Sequence, residues 1–410
     1  MSGGQEDSVD GCGSPERGDG MNRSVFAERM GALAGESAFQ VLAAANALEA
    51  KGKKVIHFEI GEPDFPTQPH IVEAAKRALD QNCTGYCNAQ GLVPLREAIV
   101  EHEKEFKGLH TTREQVVVTP GGKPIIYYTI CVLVNPGDEV IYPNPGFPTY
   151  ESVICYAGGV PVPAVLKEEK AFRLDIDELK ALITPKTKLL ILNSPSNPTG
   201  SFLTGAELAE IAAAVRGRDM YVLSDEIYSR IVYEGKATSI ATVPGMKDKT
   251  IVLDGFSKTY CMTGWRLGYG IMREDIAEQV TRLLINSNSC TTHFVQLAGI
   301  EALKGPQDAV DEMVAEYRRR REAVVAGLNS MQGVTCRKPD GAFYAFPSVR
   351  GTGCKSAELA QRLLEDAGVA LLNGGTFGAA GEGYLRLSYA TAMPLIREGM
   401  ERMDAALRRL

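Results

Sequence analysis

The sequence predicts an α/β fold in which a large domain, with a mostly parallel central sheet and helices on both faces, is joined to a smaller α+β domain. Three observations carry that expectation. Short apolar runs alternate with helix-length segments through the middle of the chain, those runs are apolar on both faces, and the rhythm changes beyond Gly305-Pro306. At 410 residues the chain exceeds one ordinary core, so two domains are the starting expectation.

The elements follow in order. Met1 to Gly20 is acidic and Gly/Ser-rich without an apolar core, so residues 1–24 read as a flexible tail and not as a secretion signal. A helix from about Ala32 to Lys51 and the run Lys54 to Ile60 form residues 25–61, the N-terminal segment of a small domain that is discontinuous in sequence. Strands of the large domain, residues 62–307, are expected at Gln115 to Thr119, Glu139 to Tyr142, Lys188 to Leu192, Tyr221 to Leu223, Ile251 to Leu253 and Leu267 to Ile271. Between them Ala206 to Val215 places Leu208, Ile211, Ala212 and Val215 on one helical stripe. A long amphipathic linker helix from about Asp308 to Ser330 opens the small C-terminal domain, residues 308–410. Strands at Ala342 to Phe346 and Tyr384 to Ser388, a helix around Ala357 to Ala367 and a closing helix complete it. In such sheets, sites lie at the carboxyl ends of the strands.

Composition excludes several classes. Hydrophobic residues at 44% and charged residues at 23% describe a soluble globular protein. A net charge of −7, from 44 basic and 51 acidic residues, gives no footing for nucleic acid. The run Arg318-Arg319-Arg320-Arg321 reads as a solvated helix face. No apolar run approaches the roughly 20 residues that span a bilayer. Nine scattered cysteines without a signal peptide imply free thiols and a cytoplasmic location. Cys83 and Cys87 lack partners for zinc and no histidines form an HExxH pair, so no metal is expected.

Chemistry enters at Lys258, in Asp254-Gly255-Phe256-Ser257-Lys258-Thr259-Tyr260 directly after a buried strand. A lysine there sheds hydration, which favours the neutral amine that forms a Schiff base with an aldehyde. Arg266, eight residues on, can fork onto a phosphate. An aldehyde bearing a phosphate describes pyridoxal 5′-phosphate. Asp225, at the end of Tyr221-Val222-Leu223-Ser224, must be paired if it stays charged; beyond a helix cap or salt bridge, it suits a protonated pyridine nitrogen. Asn197, in the turn Asn193 to Gly200, and Tyr228 can reach the ring's phenolate oxygen. Thr119-Pro120-Gly121-Gly122-Lys123 joins strand to helix and can cradle phosphate on backbone N–H groups. Arg386 in an apolar strand requires an anion.

Together these segments resemble the class I and II aminotransferases of PLP fold type I, in the aspartate/aromatic-like branch. The similar motifs are Gly61-Glu62-Pro63-Asp64-Phe65, Gly121-Gly122-Lys123, Asn197-Pro198-Thr199-Gly200, Ser224-Asp225-Glu226-Ile227-Tyr228, Ser257-Lys258, Met262-Thr263-Gly264-Trp265-Arg266 and Leu385-Arg386-Leu387-Ser388-Tyr389-Ala390, covering about Val25 to the C-terminus. The resemblance implies that Lys258 is the Schiff-base lysine and proton shuttle, that Asp225 pairs with the pyridinium, and that Asn197 and Tyr228 contact the phenolate oxygen. Gly121, Gly122, Lys123, Ser257 and Arg266 match the phosphate side. Tyr86 resembles the tyrosine that reaches the neighbouring subunit's phosphate, implying a homodimer with shared sites. Arg386, with the backbone of Gly61 and with Asn197, matches the substrate-carboxylate site. Phe147 stands where relatives stack an aromatic ring on the cofactor, and Gly255 where many place a hydroxyl or small residue. The polar stretch Asn286 to His293 reads as a hydrophilic loop or as a substrate-side or partner contact.

The implied activity is amino transfer between an L-amino acid and a 2-oxo acid by a ping-pong route. The same residues also suit elimination, β/γ-replacement or C–C bond formation, and an aminotransferase-like ligand-sensing regulator is a remote alternative that needs a DNA-binding module. The accepted side chain is left open; Lys123, Arg230 and Arg282 are candidates to meet an acidic one.

Overall fold

A computed structural model describes residues 25–33 and 37–410; the expected tail, residues 1–24, lies outside the described residues. In chain order the strands are β1 (Ile56–His57), β2 (Val116–Thr119), β3 (Glu139–Asn144), β4 (Val160–Val165), β5 (Thr187–Asn193), β6 (Tyr221–Asp225), β7 (Thr250–Gly255), β8 (Gly268–Ile271), β9 (Tyr344–Ala345), β10 (Val369–Ala370), β11 (Leu372–Asn373) and β12 (Leu385–Ser388). Strands β2 to β8 form one seven-stranded sheet in the order β2-β8-β7-β6-β5-β3-β4. It is parallel except for β8, which runs antiparallel to both neighbours. The expected strands are all present: β3, β5, β6 and β7 run one or two residues further at one or both ends, whereas β2, β8 and β12 start one residue later and β9 keeps only Tyr344–Ala345 of the expected Ala342 to Phe346.

Strand β4 was not anticipated. Its sequence, Val-Pro-Val-Pro-Ala-Val, carries two prolines that cannot donate to a ladder, and the structure resolves the conflict by placing it at the sheet edge, paired with β3 alone.

Successive strand residues feed opposite cores. Val117, Leu189, Ile191, Ile251 and Leu253 face the helices Lys123–Leu133, Thr149–Tyr156 and Glu274–Asn288. Their neighbours point the other way. Val116, Val118 and Val252 pack with Ile71, Leu95, Ile99 and Ala298 from the helices Pro69–Asp80, Val93–Lys107 and His293–Lys304, while Leu190, Leu192 and Val222 meet Leu208, Ile211 and Val215 of the helix Gly205–Val215. Burial on both faces explains the unbroken apolar runs.

The remaining strands form two small sheets, β1-β10 and β11-β12-β9. β1 pairs in parallel with β10, more than 300 positions away in sequence, and its core includes Ile56, Phe58, Tyr317, Val324, Phe343, Leu387 and Ile396. Of the expected helix from Ala32 to Lys51 the described residues show Ser37–Glu49, and the linker helix spans Asp308–Asn329. Around Ala357 to Ala367 the α-helix covers Ser356–Arg362 and continues as a π-helical turn, Leu363–Ala367.

The four-arginine run is not a solvated face. Four consecutive positions wrap most of the way round a helix. Arg318 donates to the Tyr233 carbonyl and Arg319 points outward, whereas Arg320 and Arg321 are buried. Arg320 pairs with Asp64 at 2.7 Å and Glu316 at 2.9 Å, and Arg321 lies 4.4 Å over the Tyr233 ring and donates to the Pro339 carbonyl. The polar stretch Asn286 to His293 is likewise not a simple loop. It starts as the last turn of the helix Glu274–Asn288, where Ser287 and Asn288 bond the Tyr128 hydroxyl, and Thr291 donates to the Val118 carbonyl. Among the described residues no helix is long and apolar enough to cross a membrane.

Candidate active site

The site is assembled along one edge of the large sheet, where β2, β3, β5, β6 and β7 all end. Because β8 runs against them, its beginning reaches the same edge, and that reversal brings Arg266 to the Gly121 turn. A Cβ on Gly121 would run into the Arg266 guanidinium, and φ of +90° at this residue needs glycine in any case. Arg266 itself sits at φ +56° and donates to the Thr263 carbonyl at 2.7 Å. The helix Lys123–Leu133 starts directly after Gly122. Burial, then the Arg266 charge, push Lys123 below the usual lysine range. Two cations at a helix N-terminus make an anion site.

Asp225 is buried at the end of β6. Its Oδ2 accepts the Tyr150 hydroxyl at 2.6 Å and its Oδ1 the Ile227 N–H at 3.3 Å. Burial pushes it up to about 6 against those bonds. The Asn193 side chain ties neighbouring turns together, donating to the Asp225 carbonyl at 3.2 Å and accepting the Asn197 N–H at 2.8 Å. Asn197 Oδ1 is buried without a partner, so its amide is not committed to the protein, and the NH2 of the same group is the donor that a bound oxygen would need.

Lys258 donates its amine to the Gly61 carbonyl. Burial first, helped by Arg386, Arg266 and Lys123 and opposed by Glu62, brings this lysine down to about 8. Its amine also faces the rings of Tyr228 at 6.0 Å and Phe343 at 5.8 Å. The Tyr228 hydroxyl meets that of Tyr344 at 2.6 Å, and the same hydroxyl would collide with a Cβ on Gly61. Arg386, on β12, donates to the Glu59 carbonyl and spreads its guanidinium over Tyr344 at 4.7 Å and Phe377 at 5.4 Å. Lys258 and Arg386 are thus bridged by one short segment, Glu59 to Gly61.

Of the other expected residues, Phe147 lies edge-on to Tyr150 at 5.7 Å with Lys123 Nζ 5.4 Å from its ring. Ser257 is buried beside Lys258, and Tyr86 is 90% exposed. Gly255 packs flat on Gly268, whose Cα would lie 3.0 Å from a Cβ there, so the missing hydroxyl reflects close strand contact. Arg230 is engaged by Asp311 at 3.4 Å and Phe106 at 4.9 Å, and Arg282 sits on an exposed helix face.

Sequence reasoning missed Tyr150, Tyr344 and a buried charge cluster. Tyr150 stands three residues beyond Phe147 in a segment already singled out, and Tyr344 lies within the expected strand Ala342 to Phe346. The cluster centres on Lys107, whose ammonium meets Asp254 at 2.7 Å, Glu226 at 3.0 Å and Glu103 at 3.2 Å. Ser229 bonds Asp254, Ser224 and Ser239 bond Glu226, and Tyr269 bonds Glu103. Although burial opposes it, the three carboxylates hold Lys107 protonated; burial raises Glu103 to about 7. Asp254 and Glu226 directly flank the segments bearing Lys258 and Asp225, so the cluster underlies the site.

An amine, a carboxylate and a cationic cradle at one strand edge, with an unsatisfied amide between them, fit pyridoxal 5′-phosphate. The chain is also similar to known proteins throughout. The family described as aminotransferase class I and II matches residues 53–403. Aromatic-amino-acid aminotransferase 2 of Thermococcus litoralis is 42% identical over 86% of this chain and 92% of its own length, and an aspartate aminotransferase of Pyrococcus abyssi is 43% identical over 87% and 92%. The crystal structure of the aspartate aminotransferase from Rhizobium meliloti superposes with a TM-score of 0.90 at 35% identity, covering 94% of this chain and 99% of that one. The chain belongs to the class I and II aminotransferases, and is a pyridoxal 5′-phosphate-dependent aminotransferase of PLP fold type I.

Proposed function

We propose that this enzyme moves the amino group of an L-amino acid to a 2-oxo acid by a ping-pong route centred on Lys258. The observation that carries the reading is the bridge between Lys258 and Arg386 through Glu59 to Gly61, which sets an amine beside a buried cation suited to a carboxylate. Bound pyridoxal 5′-phosphate supplies an aldehyde that condenses with amines and an electron-withdrawing ring that acidifies the substrate's α-carbon.

Each residue then has a physical task. Gly121, Gly122, Lys123, Ser257 and Arg266 hold the phosphate, Asp225 holds the ring nitrogen protonated, and Phe147 covers the ring. Asn197 and Tyr228 donate to the phenolate oxygen, with Tyr344 fixing the Tyr228 hydroxyl. Arg386 forks onto the α-carboxylate, assisted by Gly61 and Asn197. The Lys258 amine would take the proton from the substrate's α-carbon and deliver it across the nitrogen to the carbon that was the cofactor's aldehyde; an amine brought down to about 8 suits both directions.

The relatives named for aspartate and for aromatic amino acids support acidic or aromatic amino acids as substrates. Exposure of Tyr86 supports a homodimer in which it reaches the partner's phosphate. The pairing of β1 with β10 supports a small domain made of residues 25–61 and 308–410 around a large domain of 62–307. We place the enzyme in the cytoplasm, where its thiols stay reduced.

The test presents a panel of single amino acids with no acceptor. One equivalent of 2-oxo acid per site, followed by re-formation of amino acid when a 2-oxo acid is added, is the expected result. Loss of a β- or γ-substituent without that stoichiometry would make it a lyase or replacement enzyme.

A further inference from the structure

Arg386 is buried, its Nε has no partner, and its Nη2 donates to the backbone carbonyl of Glu59. Among the described residues it forms no ion pair. A guanidinium held between two ring faces and one carbonyl is under-compensated. The side chain of Glu59 is itself fully buried, yet it turns to a histidine: Oε1 lies 2.7 Å from His57 Nδ1, while Oε2 has no partner. His57 and Glu59 fall on the same side of an extended chain, two residues apart. The other ring nitrogen of His57 lies 3.4 Å from Glu49, on the helix Ser37–Glu49.

We propose that Glu59 offsets the charge of Arg386 without pairing with it, that it competes electrostatically with the carboxylate of an incoming amino acid, and that His57 sets the strength of that competition. The inference rests on the reading of Arg386 as the carboxylate-binding arginine. Arg386 bonds the carbonyl of the same residue whose carboxylate is buried, so the two charges are separated by no more than the length of one glutamate side chain, and in a poorly polarisable site a carboxylate at that range lowers the potential that a second carboxylate meets. With His57 charged, Glu59 is neutralised by its neighbour and the Arg386 field is left to the substrate. With His57 neutral, Glu59 opposes binding.

The groups facing this pair are few. Glu59 and Glu49 bond His57, Arg386 bonds the Glu59 carbonyl, and the guanidinium lies over the ring of Tyr344, whose hydroxyl meets that of Tyr228. Burial pushes His57 down, but its bonds and charge interactions with Glu59 and Glu49 outweigh this and leave it raised. Affinity for carboxylates therefore falls as pH rises through the raised pKa of His57.

The experiment titrates holoenzyme with 3-phenylpropionate, a carboxylate that cannot react, by calorimetry at about pH 6 and about pH 8.5, on either side of the histidine range. Glu59→Gln should bind at least about fivefold tighter than wild type at the higher pH, with the gain shrinking at the lower one. Comparing variants at one pH cancels titration of the cofactor. His57→Gln should do the opposite, weakening binding at the lower pH and leaving the higher pH unchanged. Its ring is partly exposed, so it folds even if Glu59→Gln does not. Equal or weaker binding by folded Glu59→Gln at the higher pH, or unchanged binding by His57→Gln at the lower pH, overturns the proposal. Arg386→Gln separates the two readings: its loss of binding supports the carboxylate role whatever Glu59 does, while full retention would overturn that role and this inference with it.

Discussion

The Tyr150 hydroxyl donates to Asp225 Oδ2 at 2.6 Å, and both side chains are buried. That bond holds Asp225 towards its charged form while burial pushes it up to about 6. Hydrogen bonds to charged groups are worth about 1.5–3 kcal/mol. Tyr150→Phe should therefore raise the Asp225 pKa further and weaken retention of pyridoxal 5′-phosphate by roughly tenfold or more. Equilibrium dialysis measures this, and an unchanged dissociation constant would remove Tyr150 from the cofactor site.

Lys258→Met tests the base. Reduction of holoenzyme with borohydride should fix the cofactor on the peptide containing Lys258, and the variant should lose at least the roughly 10²–10⁴-fold that general acid–base catalysis supplies. Fixation elsewhere would overturn the assignment.

The same variant carries a pH prediction for the apoenzyme. A lysine at about 8 in the folded chain and 10.5 unfolded binds fewer protons when folded between those values. Stability from this group consequently rises with pH across that window, and below pH 8 the folded state carries the full cost of the buried charge. Lys258→Met should be more stable than wild type at neutral pH, by roughly 3 kcal/mol, with the difference vanishing as pH approaches the unfolded value. Denaturant melts across pH check it; a pH-independent difference would contradict the lowered amine.

Lys107→Met leaves Glu103, Glu226 and Asp254 without their shared cation. Breaking a buried pair from one side costs about 3–5 kcal/mol, so a marked fall in the unfolding midpoint is expected, partly recovered by adding Glu103→Gln. Stability equal to wild type would show that the three carboxylates share protons among themselves.

Tyr86 tests the shared site. Mixing Lys258→Ala and Tyr86→Ala chains should restore activity, because one site of the hybrid dimer is then intact. No recovery after verified exchange would place both residues in the same chain's site.

Much of the architecture was legible in the sequence because it depends on local rules. Apolar runs on both strand faces imply a covered parallel sheet, and a charged residue at the end of such a run, as at Asp225, implies a site. Lys258, Asn197 and Arg386 stand out in the sequence for the same reason, as polar groups at the end of or within apolar runs; the structure buries Asn197 and Arg386 and partly buries Lys258. The prolines of β4 hid an edge strand, because a penalty that rules out a central strand is harmless where no neighbour needs the N–H.

What the tertiary structure decided concerns pairs distant in sequence. Tyr150 and Asp225, Tyr228 and Tyr344, and Lys107 with Asp254 are separated by 75, 116 and 147 positions. No periodicity links them, since they meet only when neighbouring strands end at one edge and the small sheet closes over it. The same holds for Arg320 and Arg321, whose charge predicts solvent but whose place on a helix wedged against Asp64 and Tyr233 buries them. Pattern along the chain determined which segments carry chemistry; packing between segments chose the partners, because burial and hydrogen-bond satisfaction depend on the distance through space.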